Sequence, residues 1–157
     1  MSTWLIRSFT AADQNAVKEL VLAGLVDHWG TLDPTLNPDL DDIAGWYGPQ
    51  NGQTIVAVIG DEIVGTGTIR ESAPGTAELV RMSVSSAHRG QGLGKGLVRY
   101  LIDLARSSGY ETLICETTDT WQDAIGLYLA CGFEIFDQHG GDYFFRLSLI
   151  NAASNRH

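Results

Sequence analysis

Residues 85–96 read SSAHRGQGLGKG, with Gly90, Gly92, Gly94 and Gly96 at alternate positions, and this stretch constrains the chain more than any other. Glycine gives up the most conformational freedom on ordering and packs nothing, so the spacing predicts a loop running into whatever follows. Before it, AELVRMSV reads as a strand. After it, Leu93, Leu97, Leu101 and Leu104 fall on one face at helical spacing, and Gly109 stands where a helix stop belongs. A glycine loop between strand and helix lets backbone N–H groups approach a ligand, and the first helical N–H groups are unpaired and partly positive. The combination predicts an anion site, with phosphate as the usual guest.

Spacing narrows the kind of phosphate. A Walker A loop needs GxxxxGK[ST], but five places back from Gly94 stands Arg89, and Gly96 follows Lys95 where Ser or Thr is required. A dinucleotide fingerprint GxGxxG begun at Gly90 ends on Lys95, and begun at Gly92 it ends on Leu97. The pattern that fits is R-x-x-G-x-G, as Arg89, Gly92 and Gly94.

Around this loop the chain divides into recognisable pieces. Trp4–Phe9 alternates as a first strand, and Thr10 is placed to cap a helix from about Ala11, with Val17, Leu20, Val21 and Leu25 as its apolar face. A Pro- and Asp-rich loop leads to a short helix toward Tyr47. QTIVAVI and EIVGTGTIR flank Gly60-Asp61 as a hairpin, and SAPGT turns the chain into AELVRMSV. ETLICETT is a strand, DTWQDAIGLYLACGF a helix capped at Thr118 or Asp119 and stopped at Gly132, and FEIFDQ with DYFFRLSLI a closing hairpin at Gly140-Gly141. The order β-α-α-β-β-β-α-β-α-β-β predicts an α/β fold. Its central sheet is mixed and mainly antiparallel, of about seven strands, with helices on both faces. One domain over residues 1–150 is expected, with 151–157 as a frayed tail.

Composition excludes several classes of function. At 44% hydrophobic and 18% charged residues, the chain has material for a core and is not a disordered segment. No run approaches the roughly 18–20 apolar residues of a membrane span. The opening MSTWLIRSFTAAD has no basic leader, so a soluble cytoplasmic protein is expected. Cys115 and Cys131 are too few for a disulfide framework and form no CxxC pair, so both read as free thiols and no metal site is expected. A net charge of −9 argues against a nucleic-acid partner. That charge is uneven. From Glu19 to Ile69 there are eight carboxylates and no Lys or Arg, whereas Arg81 to Arg99 holds Arg81, Arg89, Lys95 and Arg99 and no carboxylate.

A second motif follows the first by about thirty residues: Ala124, Leu127-Tyr128 and Gly132-Phe133, in the pattern A-x-x-LY-x-x-x-GF. Together, the R-x-x-G-x-G loop and this helix resemble the GNAT superfamily of acyl-CoA N-acyltransferases, and the likeness runs from about Trp4 to Leu149. The resemblance implies a GNAT-like fold and transfer of an acetyl group from acetyl-CoA to an amine by direct attack in a ternary complex. It implies that Arg89, Gly90, Gln91, Gly92, Leu93, Gly94 and Lys95 wrap the pyrophosphate. Met82, Ser83 and Val84 would offer backbone groups to the pantetheine arm and to the acetyl carbonyl. Tyr128 takes the general-acid position beside the sulfur, and Glu78 matches the glutamate that some members use as base, directly or through water. Glu116 and water alone are alternatives, and an exposed edge position or an ion pair with Arg70 or Arg81 is the structural alternative for Glu78. His88 is expected to face solvent on the cofactor side, and His28 remains open. Where the family often carries Asn, three places before the Ala, this chain has Trp121, which can only stack or donate from its indole.

The acidic stretch, with Trp29, Trp46 and Tyr47, suits a cationic small amine or a basic peptide end, with Asp39, Asp41 and Asp42 as candidate contacts. The alternative to an enzyme is a non-catalytic acyl-CoA-binding or sensing module on the same scaffold. Either is expected as a monomer or homodimer.

Overall fold

Alternating side chains build the strands close to where the sequence places them. In the computed structural model these are β1 (Leu5–Ser8), β2 (Gly52–Ile59), β3 (Glu62–Ala73), β4 (Thr76–Val84), β5 (Thr112–Thr118), β6 (Glu134–His139) and β7 (Asp142–Ser148). The helices are α1 (Gln14–Trp29), α2 (Ile43–Trp46), α3 (Leu93–Ser107) and α4 (Gln122–Ala130). The structure describes residues 3–29, 37–48 and 52–150. The His28 side chain, Asp33 and the tail 151–157 lie outside the described residues.

All seven strands join one sheet in the order β1-β2-β3-β4-β5-β7-β6. Every pairing is antiparallel except β4 with β5. The mixed, mainly antiparallel sheet is therefore as expected. Gly60-Asp61 forms the β2–β3 hairpin, with Ile59 opposite Glu62. The following turn is tighter than expected, because β3 keeps pairing as far as Ala73, opposite Thr76.

The two faces of the sheet carry separate cores. One packs Ile55, Ala57, Val64 and Leu79 against α3 and α4, and the other packs Val56 and Val80 against α1 and α2. On α3, Leu93, Leu97 and Leu101 are buried, as their spacing predicts. Each contributes about 1.5–3 kcal/mol relative to exposure. Gly109 closes this helix: the Tyr110 N–H donates to the Ala105 carbonyl at 3.1 Å, one of the two bonds of a Schellman stop.

Two helix starts differ from expectation. Residues 11–13 form a 3₁₀ turn before α1, with the Asp13 carboxylate accepting from the Thr10 N–H at 2.8 Å. In α4 the cap is Trp121, not Thr118 or Asp119. Thr118 is still paired in β5, opposite Asp142, so the chain is free to turn into a helix only after it.

Candidate active site

The site begins where β4 and β5 part. Their parallel pairing runs over Thr76–Thr112, Ala77–Leu113 and Glu78–Ile114 and then ends, although β4 continues to Val84 and β5 to Thr118. Beyond Glu78, the β5-facing backbone groups of β4 have no strand to pair with. The parting has a local cause. Thr66 faces Ser83 and Thr68 faces Val80, so Arg81 and Met82 together stand opposite Gly67. This bulge puts Arg81 at φ +56°, a left-handed conformation unusual for a residue with a Cβ. Gly67 makes room for it: a Cβ there would collide with the Met82 sulfur and lie 2.8 Å from Leu101 Cδ1.

The opening leads into a cleft of about 810 Å³ that reaches the glycine loop at one end and Glu78, Glu116 and Arg70 at the other. Met82, Ser83, Val84, Arg89, Gly90, Gly92, Leu93, Gly94 and Lys95 all line it, so nine of the ten residues expected at a cofactor lie together. Gln91 is exposed and is not among the lining residues. Gly92 caps α3 at φ +82°, leaving the first N–H groups of a 15-residue helix directed out of its N-terminus. Arg89 is engaged with protein: it donates to the Val84 carbonyl at 3.2 Å and to Asp27 of α1 at 3.1 Å. Nearby, Trp29 of α1 packs against Trp121 with ring centroids 5.6 Å apart and planes tilted by 49°.

Tyr128 lines the cleft and is 6% exposed, packed against Phe133 and Phe145. Burial pushes its phenol well above the ordinary tyrosine range, so it stays protonated and able to donate. Cys115, on the β5 face toward the same core, is also pushed up by burial. Cys131 is half-buried, and burial raises it too.

Two carboxylates sit at the far end. Glu78 is not isolated among apolar neighbours: its Oε1 accepts from Arg70 at 2.8 and 3.1 Å, the ion-pair alternative. Glu116 lies two residues past Ile114, the residue opposite Glu78. Although the residue is exposed, loss of water around its carboxyl raises it above the usual range, and the nearby Asp142 and Glu78 charges add to this, with His139 and Arg70 opposing.

Three carboxylates of the acidic stretch are engaged with protein groups. Asp39 is 4% exposed and accepts a two-pronged contact from Arg81, at 2.8 and 2.7 Å, and the Tyr47 hydroxyl at 2.7 Å. Burial alone would raise the Asp39 carboxyl, but Arg81 and Tyr47 outweigh it and hold it below the ordinary range. Asp41 pairs with Lys18, and Asp42 caps α2 by accepting from the Gly45 N–H at 3.0 Å. All three are engaged with protein groups and none lines the cleft, against the expectation that they stand free to meet an acceptor. His88 is also corrected: it is half-buried, lines the cleft, and its Nδ1 is buried without a partner among the described residues. A second buried polar atom without a partner, Thr117 Oγ1, lies in the same cleft. Nothing in the sequence singled out Thr117, because a threonine near a strand end carries no motif.

Residues 16–133 match the family model described as the acetyltransferase (GNAT) family. The chain belongs to this family. Among curated relatives it is 38% identical over 117 residues to N-acetyltransferase 8F1 of Rattus norvegicus, covering 71% of this chain and 53% of that protein. The chain thus spans about half the length of the curated relatives it matches. A GNAT-family acetyltransferase from Staphylococcus aureus Mu50 superposes with a TM-score of 0.86 at 20% identity, covering 94% of this chain and all of that one. PaiA N-acetyltransferase from Thermoplasma acidophilum, solved in complex with coenzyme A, superposes with a TM-score of 0.81 at 15% identity, covering 93% and 99%. These likenesses establish the GNAT fold. Among the described residues, no group of His, Cys, Asp or Glu is arranged to hold a metal, and no helix is long and apolar enough to cross a membrane.

Proposed function

We propose that the chain is an acetyl-CoA-dependent N-acetyltransferase acting on a primary amine in a ternary complex. The observation that carries this reading is the continuity of one cleft from the glycine loop, past Tyr128, to the Glu78–Glu116 pair. The names of the relatives and the coenzyme A complex of PaiA support it. The residues fit the group. Positive φ at Gly90 and Gly92 exposes backbone at the α3 N-terminus, and His88 Nδ1 and Thr117 Oγ1 are buried polar atoms awaiting partners in the cleft wall.

Acetyl-CoA supplies the acyl group as a thioester; the amine nitrogen bonds to the carbonyl carbon, and the C–S bond breaks with its electron pair going to sulfur. The protein's part is to hold the reactants and manage two protons. The loop at Gly90–Lys95 and the α3 N-terminus hold the phosphates, with Lys95 adding positive charge. Backbone N–H groups of Met82–Val84, freed by the bulge, are suited to polarise the acetyl carbonyl. Tyr128 donates a hydrogen bond to the sulfur as negative charge grows there. Its raised pKa opposes complete transfer to an ordinary thiol of pKa about 8.5, but the burial that raises the phenol raises a neighbouring thiol as well.

The acceptor arrives mainly as ammonium and must lose a proton before attack. Glu116, with its raised carboxyl, is suited to accept that proton, while Glu78 is held by Arg70 and adds negative charge beside it. A cationic small amine or basic peptide end is thus drawn by this pair, not by Asp39, Asp41 and Asp42.

Thermal shift with acetyl-CoA, CoA, ATP and NAD tests the binding part. A ligand at a hundred times its Kd adds about 2.7 kcal/mol of stability. Stabilisation by the CoA species alone is expected, followed by amine-dependent thiol release from acetyl-CoA. Stabilisation by ATP or NAD in place of CoA overturns the reading. CoA binding with no thiol release across an amine panel favours a non-catalytic acyl-CoA-binding module.

A further inference from the structure

Thr117 is 6% exposed, lines the cleft, and its Oγ1 has no hydrogen-bond partner among the described residues. Leaving a buried hydroxyl unpaired is costly, so such atoms in folded proteins call for an explanation. The position supplies one. Leu113, Cys115 and Thr117 alternate as the buried residues of β5, and Leu113 and Cys115 belong to the core shared with α3 and Tyr128. Thr117 is therefore on the face of the sheet from which α3 and its glycine loop start, and opposite to the face of Glu78 and Glu116. It stands three residues beyond Ile114, the last β5 residue paired with β4. At about 3.3 Å per residue, this is about 10 Å from the vertex of the opening, on the way to the glycine loop.

We infer that Thr117 is a ligand-contacting residue: its hydroxyl hydrogen-bonds an amide of the acyl-CoA arm where the arm passes between β4 and β5. This rests on the acyl-CoA reading of the cleft. An amide matches the place because it both donates and accepts, as a hydroxyl does, and because the arm there lies between a phosphate anchor and the sulfur end. The other wall, the edge of β4 beyond Glu78, offers backbone groups. Thr117 adds the side-chain contact.

The test compares wild type, Thr117→Val and Thr117→Ser by calorimetric titration with CoA and with ADP, which has no arm, and by melting without ligand. Valine keeps the shape and removes the hydroxyl. Thr117→Val is expected to weaken CoA about tenfold, about 1.4 kcal/mol, with ADP affinity unchanged. Its melting temperature without ligand should hold or rise, because an unpaired buried hydroxyl has been replaced by a methyl group. Thr117→Ser should retain CoA affinity within about threefold. Unchanged CoA affinity in Thr117→Val overturns the inference. So does an equal loss for CoA and ADP accompanied by a lower melting temperature, which would mean that the hydroxyl serves the fold. Wild type failing to bind CoA at all overturns the acyl-CoA reading, and this inference with it.

Discussion

Arg81→Ala separates two costs that meet at one residue. The substitution removes a guanidinium that holds Asp39 at 2.8 and 2.7 Å and leaves a carboxylate that is 4% exposed with the Tyr47 hydroxyl as its side-chain donor. Breaking a buried ion pair from one side costs about 3–5 kcal/mol. The Arg81 side chain is 23% exposed, so water screens part of the pair and a loss of about 2–4 kcal/mol is expected. For a chain of this size that corresponds to roughly 5–15 °C in Tm. The second cost is the backbone, because φ +56° is strained for any residue with a Cβ and unstrained for glycine. Arg81→Gly loses the same ion pair but relieves that strain, by roughly 1–2 kcal/mol, against about 0.5–1 kcal/mol of added chain entropy. It should be the milder variant by about 0.5–1 kcal/mol. Urea denaturation with matched m-values measures both. The pH dependence has a definite sign. Asp39 is held below its unfolded value of about 3.9, so its contribution is present above that pH and lost as pH falls through the folded value. The stability gap between wild type and Asp39→Asn should therefore narrow below about pH 4. A loss under 0.5 kcal/mol for Arg81→Ala, or Arg81→Gly proving the worse of the two, refutes the reasoning.

Tyr128→Phe should lower kcat by about 10²–10⁴-fold while leaving the Kd for CoA within a few-fold, read by steady-state kinetics beside calorimetry. An unchanged kcat would remove Tyr128 from the proton path. With Glu116 as base, kcat/KM falls as pH drops through its raised pKa, and Glu116→Gln should abolish that acid limb and slow the reaction; Glu78→Gln should retain the limb. If Glu78→Gln alone removes it, the assignments of the two carboxylates exchange. Gly92→Ala places a Cβ at φ +82° and should cost about 1 kcal/mol of stability or more, and weaken CoA by distorting the α3 cap. Unaltered melting and binding would mean that this cap is not under conformational constraint.

What the sequence made legible and what it hid follow different physics. Glycine at Gly90 and Gly92, the leucine face of α3 and the LY-x-x-x-GF helix are local signals, each set by backbone freedom or by spacing within one element. With the family resemblance they carry, they named ten residues for a cofactor, of which nine line the cleft. The engagements of Asp39, Asp41 and Asp42 are not local. Asp39 is 42 positions from Arg81, and Asp41 is 23 from Lys18, so a count of carboxylates along the chain could not distinguish a solvated acidic face from a set of supports. Arg89 was hidden in the same way by Asp27, which reaches it from 62 positions away. Glu78 reads equally as a base or as half of an ion pair, and the register of β3 with β4, Arg70 opposite Glu78, supplies the pair.

The bulge at Arg81 ties stability to the site. An extra residue in β4 bends the strand and increases its twist, and β4 stops pairing with β5 three positions before it, at Glu78. The same residue sends its guanidinium to Asp39, fastening the Pro38–Asp41 turn, and with it α2, to β4 on the proposed acceptor side. Ordinarily a left-handed arginine would be displaced by glycine, since glycine adopts that conformation without strain. Here the ion pair offsets the strain, and a glycine would keep the bulge while releasing the Pro38–Asp41 turn. Arg81→Gly should thus separate the two duties: affinity for CoA, which depends on the β4 edge and the glycine loop, stays near wild type, while KM for the amine rises. An equal loss in both would mean that the ion pair, and not the backbone conformation, holds the strands apart.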